Sequence, residues 1–150
     1  MKLHQLSVFV ENKPGHLVAP CRALAAAKVN IVTLSLAETQ HFGILRLIVD
    51  DWQRACESLE AAGIAVNLTE VVALEVDDRP GGLATLLEPI EREGINVEYM
   101  YAFAARRGEK AVLVFRFQDT DAAIKLLSAA GASILGDAQL LALVSGRGES

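Results

Sequence analysis

The chain repeats itself, and a repeat at a fixed period constrains the fold more than any single motif. Displaced by 66 residues, Val10, Pro14, Gly15, Leu17 and Asn30 fall on Val76, Pro80, Gly81, Leu83 and Asn96. A displacement of 68, the two extra residues absorbed in a hairpin, brings Leu45, Asp51, Ala55, Leu59, Ala61, Ala62 and Gly63 onto Leu113, Asp119, Ala123, Leu127, Ala129, Ala130 and Gly131. The 150 residues therefore read as two copies of one unit, residues 1–69 and 70–150. A unit of that size has a marginal core of its own, so the two are expected to lean on each other.

Each copy carries the same succession of patterns. Leu3–Val10 and Val71–Val76 are rich in Val and Leu and run into Glu-Asn-Lys-Pro-Gly and Asp-Asp-Arg-Pro-Gly, strands entering turns. Leu83, Leu86, Leu87 and Ile90 recur at helical spacing, with Gly94 placed as a stop. Pro20 and Pro89 fall inside the two first helices and predict a kink or a short helix. Asn30–Leu36 with Ile44–Val49, and Asn96–Ala104 with Ala111–Phe117, read as hairpins. Asp51–Ala62 and Thr120–Ala130 read as helices opened by a capping Asp or Thr and closed by glycine, and Ala138–Val144 reads as the last strand. The order β-α-β-β-α-β, twice, is that of the α+β ferredoxin-like fold, an antiparallel sheet with helices on one face. Val71–Val76 aligns both with the first strand of one copy and with the closing strand of the other. Either Ile64–Leu68 is a separate strand or Ala138–Val144 crosses to complete the other unit.

Composition narrows the function. The net charge of -5 is spread over both halves, six basic and eight acidic residues up to position 75 and eight and eleven beyond it. That balance argues against nucleic acid or an anionic membrane as partner. No apolar run reaches about 18 residues and no signal-peptide pattern is present, so the chain reads as a cytoplasmic protein. Cys21 and Cys56 are too few for a disulfide framework and do not form a metal-ligand spacing. His4, His16 and His41 all lie in the first copy, so no catalytic constellation repeats, and neither a nucleophile elbow nor a phosphate loop is present. The tail Gly146–Gly148 reads as frayed rather than as a phosphate cradle. These readings predict no enzyme activity, no metal and no cofactor.

What does repeat is a loop entering a helix through Pro-Gly. Glycine permits close backbone approach, and the first amides of a helix point outward at its positive end, where a carboxylate fits. Asn12 and Asp78 add oxygens for an ammonium group, and Asn30 and Asn96 offer donor and acceptor together, so the set suits a free amino acid. The same residue types also shape ordinary turns. Tyr99, Tyr101 and Phe103 alternate on one strand face, as a ligand wall, a dimer contact or plain packing.

Asn12-Lys-Pro-Gly-x-Leu17 and Asp78-Arg-Pro-Gly-x-Leu83, each followed at similar distance by Val29-Asn30-Ile31 or Ile95-Asn96-Val97, resemble the signature of ACT domains, over residues 3–144 as a tandem pair. The resemblance implies βαββαβ modules that bind amino acids and pass the bound state to an enzyme or regulator. It implies sites between ACT units, Asn12, Gly15, His16 and Leu17 with Asn96 and Val97, and Asp78, Gly81, Gly82 and Leu83 with Asn30 and Ile31, the facing units coming from one chain or from two; a homodimer is the expected assembly. His16 stands against Gly82, and Asn12 against Asp78, so the two sites are expected to differ. The expected role is a non-catalytic amino-acid sensor, with a regulatory subunit of a biosynthetic enzyme as the alternative. An RRM-type RNA-binding module shares the strand order, but Lys110–Phe117 lacks the Gly-aromatic pair of that motif.

Overall fold

The computed structural model describes residues 2–145. The tail Gly146–Gly148 lies outside the described residues. Two compact units are present, His4–Thr69 and Glu70 onward together with Lys2 and Leu3.

In the first unit, β1 (Leu3–Glu11) leads through the Pro-Gly loop to α1 (Val18–Ala26), then to the hairpin β2 (Ile31–Glu38) and β3 (Phe42–Val49), and to α2 (Trp52–Ala61). The ladder is antiparallel: Val8 opposes Leu45 and Glu11 opposes Phe42 between β1 and β3, and Leu36 opposes Leu45 between β2 and β3. Alternation puts Leu6, Val8, Val10, Leu45, Leu47 and Val49 on one face. Leu24 of α1 and Ala55 and Leu59 of α2, the last two at i and i+4, close over them. His4 on β1 stacks on Trp52 with ring centroids 4.4 Å apart.

The second unit follows the same plan with α3 (Gly82–Arg92), β5 (Val97–Arg107), β6 (Lys110–Phe117) and α4 (Thr120–Ala129). Val72 opposes Phe115 and Asp77 opposes Lys110 between β4 (Val66–Asp77) and β6, while Val97 opposes Phe117 and Arg107 opposes Lys110 between β5 and β6. Val72, Leu74, Phe115 and Phe117 meet Ile90 of α3 and Ala123 and Leu127 of α4 in its core. The expected apolar stripe of α3 packs there, Ile90 fully buried and Leu83, Leu86 and Leu87 at its margin.

Three expectations need correction. β4 is one continuous strand of 12 residues, so Ile64–Leu68 is not a separate strand. Its opening residues belong to the first unit and the rest to the second, and a single strand closes one repeat and opens the next. Ala138–Val144 is not a strand but lies within α5 (Asp137–Ser145). An apolar run cannot be told from a strand by periodicity alone, and here Ala, Gln and Leu favour a helix. The Gln139 side chain accepts the Gly136 N–H at 2.9 Å and so caps its start, while the closing ladder is made by β7 (Ile134–Leu135) against Leu74 and Ala73. Of the two prolines, Pro20 sits in the first turn of the nine-residue α1, where no backbone donor is missed, and Pro89 lies inside α3, which continues through it. The caps of α2 and α4 are Asp51 and Asp119, whose carboxylates accept from Arg54 and Ala122 N–H at 3.1 and 3.0 Å; the expected Thr120 is the first helical residue.

Candidate functional site

Both Pro-Gly loops place their glycine in the left-handed region, Gly15 at φ 88° and Gly81 at φ 85°, as a strand turning sharply into a helix demands. Both also share a backbone turn bond, Lys13 N–H on Glu11 O at 2.9 Å matching Arg79 N–H on Asp77 O, and they differ in how tightly they close after it. In the second loop Arg79 N–H donates to Asp77 O at 2.9 Å and Gly82 N–H to Arg79 O at 3.0 Å, so the chain curls tightly enough that a Cβ on Gly82 would sit 2.0 Å from Asp77 O. Gly82 is required there by close approach. The first loop has His16 instead, its N–H reaching Lys13 O at 3.4 Å, and its helix starts only at Val18.

The first loop is anchored to the β2–β3 hairpin. Asn12 N–H donates to His41 O at 2.9 Å, and the Asn12 side-chain amide donates to the Glu38 carboxylate at 3.3 Å. Lys13 pairs with Glu11 at 2.7 Å, and that ammonium holds the Glu11 carboxyl below the usual carboxylate range. The four residues expected here divide between two cavities. Asn12 and Leu17 line one of about 380 Å3 with Val10, Pro14, Leu36, Glu38 and Gly43; Gly15 and His16 line another of about 290 Å3 beside Ala19 and Ile64.

In the second loop Arg106 of β5 forms an ion pair with Asp78, a partner with which a ligand ammonium would compete. Asp77 binds Arg79 at 3.3 Å and Lys110 at 3.5 Å, and these charges line a groove of about 720 Å3. Gly81 and Gly82 form the turn beside it, and the Gly81 carbonyl accepts from both the N–H and the hydroxyl of Thr85, at 3.0 and 2.9 Å. Leu83 packs toward the core of its unit.

Asn30 and Asn96 are equivalent. Asp50 N–H donates to Asn30 O at 3.1 Å and Gln118 N–H donates to Asn96 O at 2.9 Å, tying each second strand to the end of the third. Among the described residues their side-chain amides carry no hydrogen bond, which leaves them available to a ligand. Within one unit the asparagine and the loop lie at opposite ends of the sheet. Val97 opposes Phe117 and Asp77 opposes Lys110, the two ends of β6, roughly 24 Å apart at about 3.4 Å per residue. Ile31 opposes Val49 and Glu11 opposes Phe42 at the ends of β3 in the same way. One unit alone cannot bring its loop and its asparagine to one small molecule.

Sequence reading missed Glu38, Gly43 and Arg106. The displacement of 68 already sets Glu38 on Arg106 and Gly43 on Ala111, and that difference was the available signal. Of the aromatic trio, Phe103 is buried and Tyr99 and Tyr101 are half-buried, beside Arg116 and Val114 of β6. Among the described residues no group of three His, Cys, Asp or Glu side chains is placed to hold a metal ion, and no helix is long and apolar enough to cross a membrane.

Known proteins share this architecture. A protein of Bacteroides thetaiotaomicron is 38% identical, with a TM-score of 0.86 over 93% of this chain and 96% of its own. The ligand-free regulatory subunit of aspartate kinase from Thermus thermophilus is 18% identical, TM-score 0.58, over 85% of this chain and 91% of its own. Aspartokinase alpha and beta subunits are 17% identical, TM-score 0.55, over 85% and 90%. At such identities the two kinase structures share the fold. No curated protein matches the chain. The family model described as an ACT domain pair matches residues 1–144, both loops and both β-α-β-β-α-β repeats included, and the chain belongs to that family.

Proposed function

We propose that this protein is a regulatory sensor of a free amino acid, held between the Pro-Gly loop of one ACT unit and the opening of the second strand of a facing unit supplied by a second copy of the chain. The ligand carboxylate meets the loop amides and its ammonium the oxygens beside them. One set is Asn12, Gly15, His16 and Leu17 with the facing Asn96 and Val97; the other is Asp78, Gly81, Gly82 and Leu83 with the facing Asn30 and Ile31. The observation that carries the reading is the separation just described: the loop and an asparagine with an unused amide sit at opposite ends of each sheet, so they meet at a ligand only when two units face each other. ACT domains are regulatory modules, generally without catalysis of their own. The output is a shift in a partner's equilibrium, set by the ligand's differential affinity for the two states. The partner we favour is an enzyme of amino-acid biosynthesis, in keeping with the fold shared with a regulatory subunit of aspartate kinase.

A thermal-shift screen against the twenty amino acids tests this. A ligand at about 100 times its Kd adds roughly 2.7 kcal/mol, which raises Tm by roughly 5–10 °C for a chain of this size. One amino acid, or a small related set, should do so. If none shifts Tm and calorimetry is also silent, the sensor reading fails.

A further inference from the structure

The two repeats place different charges at equivalent positions beside their loops. Glu38 opposes Gly43 at the end of the first hairpin, and Arg106 opposes Ala111 at the end of the second. Asn12 reaches Glu38 and Asp78 reaches Arg106, so the same loop-to-hairpin contact is an amide on a carboxylate in one unit and a closed ion pair in the other. In the first cavity Lys13 is taken by Glu11, leaving the Glu38 carboxylate with no cation among the described residues. Two carboxylates there face one ammonium, whereas the second groove balances Asp77, Asp78 and Glu109 against Arg79, Arg106 and Lys110.

The first cavity is also the one with an apolar wall. Val10, Pro14, Leu17 and Leu36 line it, and Leu17 and Leu36 are 43% and 50% exposed, so together they offer apolar surface to a ligand. Gly43 keeps its floor open: a Cβ there would come within 3.2 Å of Val10 and 3.3 Å of Leu36. Ala111 carries that methyl in the second unit. Because the Asn12 amide nitrogen is turned to Glu38, its oxygen is the acceptor left over.

Resting on the sensor reading above, we infer that the first unit's cavity is the occupied site, that Glu38 is the counter-ion of the ligand ammonium with Asn12 oxygen beside it, and that the ligand class is an α-amino acid with an aliphatic side chain lying on Leu17 and Leu36. In the second unit's loop Arg106 competes with a ligand ammonium for Asp78, which makes it the weaker of the two sites.

Titration calorimetry on the full chain separates the parts. The probes are L-alanine, L-valine and L-leucine, with pyruvate, 3-methyl-2-oxobutanoate and 4-methyl-2-oxopentanoate, which keep the carboxylate and side chain but lack the ammonium. At least one aliphatic amino acid should bind at one site per chain, and its oxo acid should not. Glu38→Gln should weaken binding by roughly tenfold or more, as expected for a lost charge-assisted hydrogen bond. Glu60→Gln, an equal charge change on the exposed side of α2, should leave it unaltered. Unchanged affinity in Glu38→Gln, comparable binding of the oxo acid, two equal sites per chain, or binding confined to polar and charged amino acids would each overturn the inference while leaving the sensor reading standing. Silence from all twenty amino acids would overturn both.

Discussion

Gly82→Ala is expected to destabilise the second unit by about 3 kcal/mol, within the range for backbone strain and overpacking. Its methyl carbon would lie 2.0 Å from the Asp77 carbonyl oxygen and 3.0 Å from the carbonyl carbon. Both are backbone atoms, so no side chain can swing away. Relief requires opening the turn, and the turn is held by Arg79 N–H on Asp77 O and Gly82 N–H on Arg79 O. For a chain of this length that cost lowers Tm by roughly 6–12 °C. His16→Ala, at the equivalent place in the first loop, already has a Cβ accommodated and should change stability by no more than about 0.5 kcal/mol. Urea denaturation of the two variants measures both. A Gly82→Ala protein as stable as the parent would mean that this loop does not curl as described.

Phe115→Ala should cost as much or more, about 4 kcal/mol. Phe115 is fully buried at the centre of the second core and its ring lies 5.5 Å from that of Phe117 with the planes 2° apart. Removing it empties a ring's volume and the stacked contact with Phe117, beside Val72 and Met100, its partners in the ladder. The repeat supplies a milder variant. Leu47 holds the equivalent place in the first unit and is equally buried, so Phe115→Leu should cost about 1 to 2 kcal/mol, well under the alanine variant. Equal losses from the two substitutions would contradict the packing.

Most of the fold was legible because the repeat tests each element twice. A strand ending in Pro-Gly, a helix closed by glycine and a hairpin of Val, Leu and Ile are weak signals alone, yet they recur at fixed displacement. Ala138–Val144 rested only on its likeness to Val71–Val76, whereas β7 is two residues long and the helix after it answers to nothing in the first copy. The double alignment of Val71–Val76 matched it to Ala138–Val144 as well as to β1, and since Ala138–Val144 lies in α5, likeness of apolar runs did not by itself mark a strand. The site was legible in part. Pro-Gly favours a turn with its glycine in the left-handed region, so the conformations of Gly15 and Gly81 followed from their neighbours. The engagement of Asp78 by Arg106 depends on a hairpin register that places residues far apart in sequence side by side, and local residue types do not encode it. Glu38 was missed for the same reason.

The central claim, that a Pro-Gly loop receives the amino acid, is tested most directly by amide chemical shifts in 15N-labelled protein titrated with the amino acid that raises Tm most. The largest changes should fall on Lys13, Gly15, His16 and Leu17, with smaller ones at Glu38 and Gly43 on the hairpin. Largest changes at Gly94, Gln118 and Ala122 instead, around the groove of about 990 Å3 beside the start of α4, with the loop amides unmoved, would contradict it.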